Sequence, residues 1–423
     1  MKRFLLSSGN PKRDTVVWNA VSACLTSFQT MLLLMVLTRA GTEEHSGAFV
    51  MAYTVANLMM NIGKFGARQY QVTDAGEKYR YIDYTRARVF SMGLMSAALC
   101  GYLAWSLLRN GYSAEKAATV ALISLFRGIE AAEDVMHGRM QQKGRLDTAS
   151  KILAIRNLAF MLGFAVGYLL TRDLVLTCVV NVGVSLGLCF WLNGMVMPVF
   201  KNKTDNEKKP FPWGLVKECI PLCLTMVTYM YLGNAPKYIV DGLVTDAVQT
   251  RFNIVIMPAF VVSLLCTFIF NPVLKNIGEL WHGGRIAELR RLVRKLALAP
   301  VVMDVAVLCG GWFLGVPVLE MLYGVELAEY RTMLMAFLLA SGVVAMLNLF
   351  VALLTAMRKQ RHLLYAYIAG SGVLLCFGKR LFMRLGLNVL CWSYLVVLLG
   401  VLGYCTGVYL KTVRTASRNR AEQ

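Results

Sequence analysis

Charge is scarce in this chain. Of its 423 residues only 16% are Asp, Glu, Lys or Arg, whereas 57% are hydrophobic. A water-soluble domain cannot cover itself with so few charges, so a soluble globule is excluded. Other absences narrow the chemistry. The four histidines (His45, His137, His282, His362) have no metal-ligand spacing, and the 11 cysteines contain no Cys-x-x-Cys, which argues against a zinc or dithiol centre. Cys219 and Cys223, four apart, read as small packing residues. There is no Gly-rich phosphate loop, no Walker lysine and no Ser-His-Asp set in a fitting context, so neither an enzyme nor a cofactor is expected. No segment alternates with the period of a barrel strand. Proline is missing between Asn19 and Met197 but recurs later at Pro221, Pro236, Pro258, Pro272, Pro300 and Pro317. Each of these costs a helix hydrogen bond, making the second half either the more bendable part or one with fixed kinks.

What the chain has instead is long apolar runs, about twelve of them, each near the ~20 residues that cross ~30 Å of hydrocarbon as a helix. The candidate spans are 15–38, 47–67, 87–108, 115–137, 152–171, 174–197, 214–233, 252–274, 293–315, 330–356, 362–378 and 388–410. The eleventh is the shortest, because Lys379 and Arg380 cut it off. The net charge of +20 is unevenly spread. With the N-terminus inside, most Lys and Arg fall in cytoplasmic segments: Lys2–Arg13, 68–88, 139–151, 201–217, 275–295, Arg358–Arg361 and the C-terminal tail. Both ends are therefore expected in the cytoplasm. Lys379, Arg380 and Arg384 run against this bias. The excess charge reads as loops facing anionic lipid, with no nucleic-acid partner. The first apolar run is too long for a cleavable signal peptide and is expected to remain as a span.

The stretch Lys201–Trp213 (KNKTDNEKKPFPW) is the longest polar segment between central spans. It divides the chain into an N-terminal six-helix bundle (1–200), a cytoplasmic linker (201–213) and a C-terminal six-helix bundle (214–423). The expected fold is an all-α polytopic membrane protein, with two bundles around a central cavity and a site near the midplane, the usual plan of a transporter. Two basic stretches, Lys78–Phe90 and Arg285–Arg294, are interleaved with aromatic or aliphatic residues. They read as helices lying at the inner surface or as caps on the bundles.

The fourth span, ISLFRGIEAAEDVMHGRMQQKGRLD, is the most informative. Arg127, Glu130, Asp134, His137 and Gln141 fall within about 80° of arc on an α-helix, with Glu133 about 40° further round. Charge at that depth is expensive against lipid, so this face must look into protein or water. Two readings are open: a locked intrahelical ion-pair set, or Arg127 as an anion contact with Glu130 or Asp134 as a coupling-ion site. The second span adds Tyr53, Asn57, Asn61, Lys64 and Arg68 on one face, the last two being either ligands or snorkelling cations. Asn19, Ser22, Thr26 and Gln29 line one side of the first span, where interhelical hydrogen bonding is the plainer reading. Thr225, Thr228, Tyr229, Asn234 and Lys237 add polarity around the seventh.

These strings, in this order, resemble a known family. NAVSACLTSFQTMLLLMVLTRAGTEEHSGAFVMAYTVANLMMNIGKFGARQY, RGIEAAEDVMHGRMQQKGRLD, GNAPKYIVD and MPAFVVSLLCTFIFNPVL are similar to segments of the polysaccharide-repeat-unit flippases of the multidrug/oligosaccharidyl-lipid/polysaccharide exporter superfamily. The acid that the multidrug subfamily carries in its first span is absent from residues 15–38. The resemblance implies an undecaprenyl-pyrophosphate-linked oligosaccharide as substrate, flipped across the bacterial cytoplasmic membrane by alternating access. Arg127, Lys64, Arg68 and Lys237 would meet the anionic headgroup, Asn57 and Asn61 would add polar contacts, and Glu130 and Asp134 would carry a coupling proton or sodium ion. Membrane lipids and a polysaccharide polymerase or glycosyltransferases are the implied partners. A drug or metabolite antiporter of the same superfamily and a non-transporting scaffold for polysaccharide assembly are the alternatives.

Overall fold

Runs this apolar must satisfy their backbone groups internally if they sit in lipid, and among the described residues every regular element is a helix. The computed structural model describes residues 1–73, 78–200, 210–270, 277, 279–281, 283–357 and 359–421. In chain order the helices are α1 (Lys2–Leu6), α2 (Pro11–Ala40), α3 (Glu43–Lys64), α4 (Ala67–Thr73), α5 (Tyr81–Arg109), α6 (Ala114–Gln142), α7 (Leu146–Thr171), α8 (Leu174–Val196), α9 (Trp213–Val240), α10 (Asp246–Phe270), α11 (Ile286–Gly310), α12 (Val316–Tyr323), α13 (Arg331–Ala356) and α14 (Gln360–Ala421). Eight helical stretches are long and apolar enough to cross a membrane. One of them is doubled by a break at Gly386 (φ 81°, ψ −175°), and α3, α6 and α10 add further long helices. Large apolar side chains such as Leu108, Leu170, Phe190 and Phe313 stand more than 70% exposed, a surface suited to acyl chains and not to water. The chain is an all-α, multi-pass membrane protein.

The eleventh span is longer than expected. The helix runs unbroken past residue 378 to Gly386, carrying Lys379, Arg380 and Arg384 on exposed final turns. Long cationic side chains at a helix end can reach the headgroups while their stems stay in lipid. The chain divides into two compact units: Met1–Met230 with Asp241–Ala247, and Tyr231–Val240 with Val248–Gln423. Most of the linker expected at 201–213 lies outside the described residues.

In the first unit α3 packs along α6 and α2 along α7. The core joins Leu5, Phe65, Tyr84, Val135, Ile152, Leu192 and Leu215. The short α1 is seated against α7: Leu5 is fully buried, Lys151 Nζ donates to the carbonyls of Phe4 and Ser7, Thr148 to Leu5, and Arg145 to Leu6. Helix starts follow capping chemistry. Thr42 accepts from the His45 amide and is followed by Glu43 and Glu44 at the positive end of α3, while Ser113 caps α6. The basic stretch 78–90 is not a surface helix as expected. From Tyr81 onward it is the first turns of α5, with Tyr81, Tyr84 and Arg88 buried. In the second unit α11 leads through residues 311–315 into α12 as one 38-residue span, and packs on α13.

Candidate functional site

The polar stripes of α3 and α6 meet in the first unit. Lys64, the last residue of α3, donates to Glu130 Oε1 at 2.8 Å, and Arg127 one turn earlier on α6 donates to Glu130 Oε2 at 2.7 Å. Asp134 sits between two further cations: Arg68 Nη1 reaches Oδ1 at 3.3 Å and Arg88 Nη2 reaches Oδ2 at 3.1 Å. Arg68 also donates to Gln141 Oε1 at 2.8 and 3.1 Å. The Arg88 guanidinium also bonds the Gly63 carbonyl, which Ser91 Oγ meets at 2.7 Å.

Arg68 does not share a helix with Lys64, as the stripe had assumed. α3 stops at Lys64, because Phe65 (φ 52°) and Gly66 (φ 68°) take left-handed backbone, and Arg68 lies on α4. Gly66 is required there, since a Cβ would lie 2.6 Å from Leu222 Cβ and its φ disfavours L side chains. This turn swings α4 so that Arg68 still meets α6. Asn61, buried, donates to the Asn57 carbonyl at 2.8 Å, within α3, and Asn57 is half-buried. Lys237, also half-buried, belongs to the second unit.

Behind this set lies a second one that sequence reasoning missed. Glu133 accepts from Asn193 Nδ2 on α8 at 2.9 Å, and its other oxygen is 3.0 Å from Arg156 Nε on α7. The Glu133 and Arg156 side chains are both fully buried. Their contact is close but misaligned, and Arg156 Nη1 and Nη2 have no partner among the described residues. The Arg156 guanidinium lies 5.5 Å from the Phe126 ring, which stacks on Phe160 at 3.7 Å, and Arg127 lies 5.1 Å from the Tyr53 ring. Such faces stabilise a desolvated cation. Arg88 was the other omission. Its place in a basic, aromatic-rich stretch suggested a surface role. Arg156, a single cation in the fifth apolar run, was given no role. The signal that pointed to it was Glu133, an acid off the main stripe that had to find a cation on another helix.

The arrangement grades from dry to wet. The side chains of Arg127, Arg88 and Arg156 are 3%, 5% and 0% exposed, those of Lys64 and Arg68 20% and 28%. Among the described residues Lys64, Arg68, Arg88, Arg127 and Arg156 pair with Glu130, Glu133 and Asp134, five cations to three carboxylates. Buried polar atoms without a described partner include His137 Nε2, Arg127 Nε, Tyr53 Oη and both amide atoms of Gln29, positions for water or for a polar ligand. Just before α5, Lys78 donates to Glu218 on α9 at 2.8 Å. That carboxylate raises the Lys78 ammonium above its ordinary value, and its hydrogen bond lifts the Tyr70 phenol to about 12. On α2 the polar side is used between helices: Asn157 on α7 donates to Thr26 Oγ1 at 2.7 Å. Among the described residues no cluster of His, Cys, Asp or Glu could hold a metal ion.

The whole helical arrangement has known counterparts. The inward-facing structure of a multidrug resistance MATE family transporter of the MOP superfamily matches with a TM-score of 0.66 at 13% identity, over 95% of this chain and 99% of that one. The fold is that of the MATE transporters. A MOP superfamily transporter from Pyrococcus furiosus, described as having a binding pocket of reverse polarity, matches with a TM-score of 0.59 at 12% identity over 98% of both chains. In sequence, the capsular polysaccharide biosynthesis protein CapF of Staphylococcus aureus is 21% identical over 320 residues, 74% of this chain and 78% of CapF. No protein-family model matches.

Proposed function

We propose that this chain is a flippase that moves an undecaprenyl-pyrophosphate-linked oligosaccharide across the bacterial cytoplasmic membrane by alternating access, with both termini cytoplasmic. The observation that carries the reading is the network around α6, where among the described residues five cations meet three carboxylates. A pyrophosphate bridge is dianionic, and guanidinium and ammonium groups are its natural partners. Lys64 and Arg68, at the wetter edge, take the headgroup first. Arg127 and Arg88 stand behind them and hold Glu130 and Asp134 in place. Asn57, Asn61 and Lys237 supply further polar contacts, and the coupling ion is a proton or sodium. CapF's role in capsular polysaccharide biosynthesis supports a glycan substrate.

The second reading, a multidrug antiporter, is favoured by the MATE neighbours. Cationic drugs want an acidic lining, and residues 15–38 contain no Asp or Glu. Proteoliposomes holding the full chain and a fluorescent lipid-linked oligosaccharide separate the two. Movement of that lipid between leaflets, reduced at least tenfold in Lys64→Gln/Arg68→Gln, is the expected result. Efflux of cationic dyes without movement of the lipid overturns the flippase reading.

A further inference from the structure

The second unit holds an acid that the transport site does not use. Asp304 lies on α11, about 14 Å along the helix from Lys295, the last charge before it. It packs against Ser341 on α13, about 15 Å along that antiparallel helix from Arg331. The two distances together nearly equal the ~30 Å of a hydrocarbon core, so Asp304 sits near its middle. Its helix is largely lipid-facing, with Val301, Val302 and Val305 all more than half exposed, while Asp304 itself turns inward and is half-buried. The contact needs a glycine: a Cβ at Gly342 would fall 2.4 Å from the Asp304 carboxyl carbon.

The hydrogen-bond geometry speaks to the state of this carboxyl. Ser341 Oγ is 2.6 Å from the Leu338 carbonyl and 3.4 Å from Asp304 Oδ1. A hydroxyl has one proton, and it goes to the nearer carbonyl. At 3.4 Å, with its proton engaged elsewhere, Ser341 gives an ionised carboxylate little stabilisation. No cation balances Asp304 among the described residues. α13 contributes Ser341 and Gly342, and α10 contributes Cys266, whose Sγ lies 3.9 Å from Met303 Sδ. The nearest charges on the packed helices, Arg294, Lys295 and Arg331, are a hydrocarbon leaflet away. An ionised Asp at a helix centre in a membrane is costly without a partner, whereas Glu130 and Asp134 each have two cationic partners.

We infer that Asp304 is a proton-binding site, a neutral carboxyl cradled by Ser341 and Gly342, whose release and uptake of one proton supplies the ion coupling of the second unit. The coupling clause rests on the proposed transport; the proton-binding clause does not. The test is dicyclohexylcarbodiimide modification of the full chain in lipid nanodiscs, mapped by peptide mass spectrometry. A protonated carboxyl in apolar surroundings adds across the carbodiimide, and the adduct rearranges to a stable acylurea. Asp304 is expected to label, increasingly as pH falls, with the label lost in Asp304→Asn and reduced severalfold in Gly342→Ala. Absence of label on Asp304 from acid to neutral pH overturns the proposal, and so does protection by sodium at fixed pH, which marks a sodium site. In proteoliposomes, Asp304→Asn is expected to move lipid-linked oligosaccharide down its own gradient but to ignore an imposed pH gradient. A wild-type response that survives in Asp304→Asn overturns the coupling clause. Failure of the wild type to move that lipid defeats the flippase reading and leaves the labelling result standing.

Discussion

Arg156→Met offers the sharpest test of how the first unit is held together. Arg156 and Glu133 are both fully buried and lie 3.0 Å apart. Removing the cation leaves Glu133 uncompensated in the interior, with hydrogen bonds from Asn193, at 2.9 Å, and Cys189 among the described residues. Breaking a buried pair in this way costs roughly 3–5 kcal/mol, whereas replacing both partners by apolar groups is roughly neutral or stabilising. Arg156→Met alone should therefore destabilise by about 4 kcal/mol, and Arg156→Met/Glu133→Leu should return to within about 1 kcal/mol of wild type. In the double variant one Asn193 N–H keeps the Cys189 carbonyl at 3.0 Å and the other loses its acceptor, which sets the residual cost. The assay is denaturant unfolding in mixed lipid–detergent micelles with a thiol-reactive fluorogenic dye, because Cys178, Cys189, Cys219 and Cys223 are buried and react only when the unit opens. A single variant as stable as wild type, or a double variant worse than the single, would refute the account.

Asp134→Asn strips the shared carboxylate from Arg68 and from the buried Arg88, and the same dye should report a loss of roughly 3 kcal/mol. Gly66→Ala forces a side chain into left-handed backbone beside Leu222, and a loss of about 1–2 kcal/mol is expected, together with weakened substrate binding because Arg68 is displaced. Lys64→Gln should raise the apparent Kd for the pyrophosphate lipid by roughly tenfold to a hundredfold, the value of one charge-assisted hydrogen bond, as read by ligand-induced thermal stabilisation. Lys78→Gln breaks a pair whose members are 60% and 36% exposed, and no change in unfolding midpoint is expected.

Much of the first unit was readable from helical periodicity. Arg127, Glu130 and Asp134 share a face because α6 is an unbroken helix, and the cost of charge in lipid turns that face inward. Periodicity within one helix says nothing about which partners arrive from others. Arg88 and Arg156 were missed for that reason, although each pairs with an acid on α6. Arg68 was read onto the same helix as Lys64, because the turn at Phe65 and Gly66 that redirects it has no clear mark beyond the Phe-Gly pair itself. Asp304 carried a local signal, a lone acid in the ninth apolar run, but its meaning depends on Ser341 and Gly342 thirty-seven and thirty-eight positions later. The end of the eleventh span was misjudged because two cations, Lys379 and Arg380, were treated as a stop, although a helix end can carry them outward.

The seat of α1 bears on how the protein is made. Leu5 and the carbonyls of Phe4 through Ser7 are held by Arg145, Thr148 and Lys151. α1 thus has no seat until the chain has been extended past the start of α7. Until then its apolar side chains must be tolerated at the membrane surface, and a bulky insertion beside α1 would compete for a berth that forms only once α7 is made.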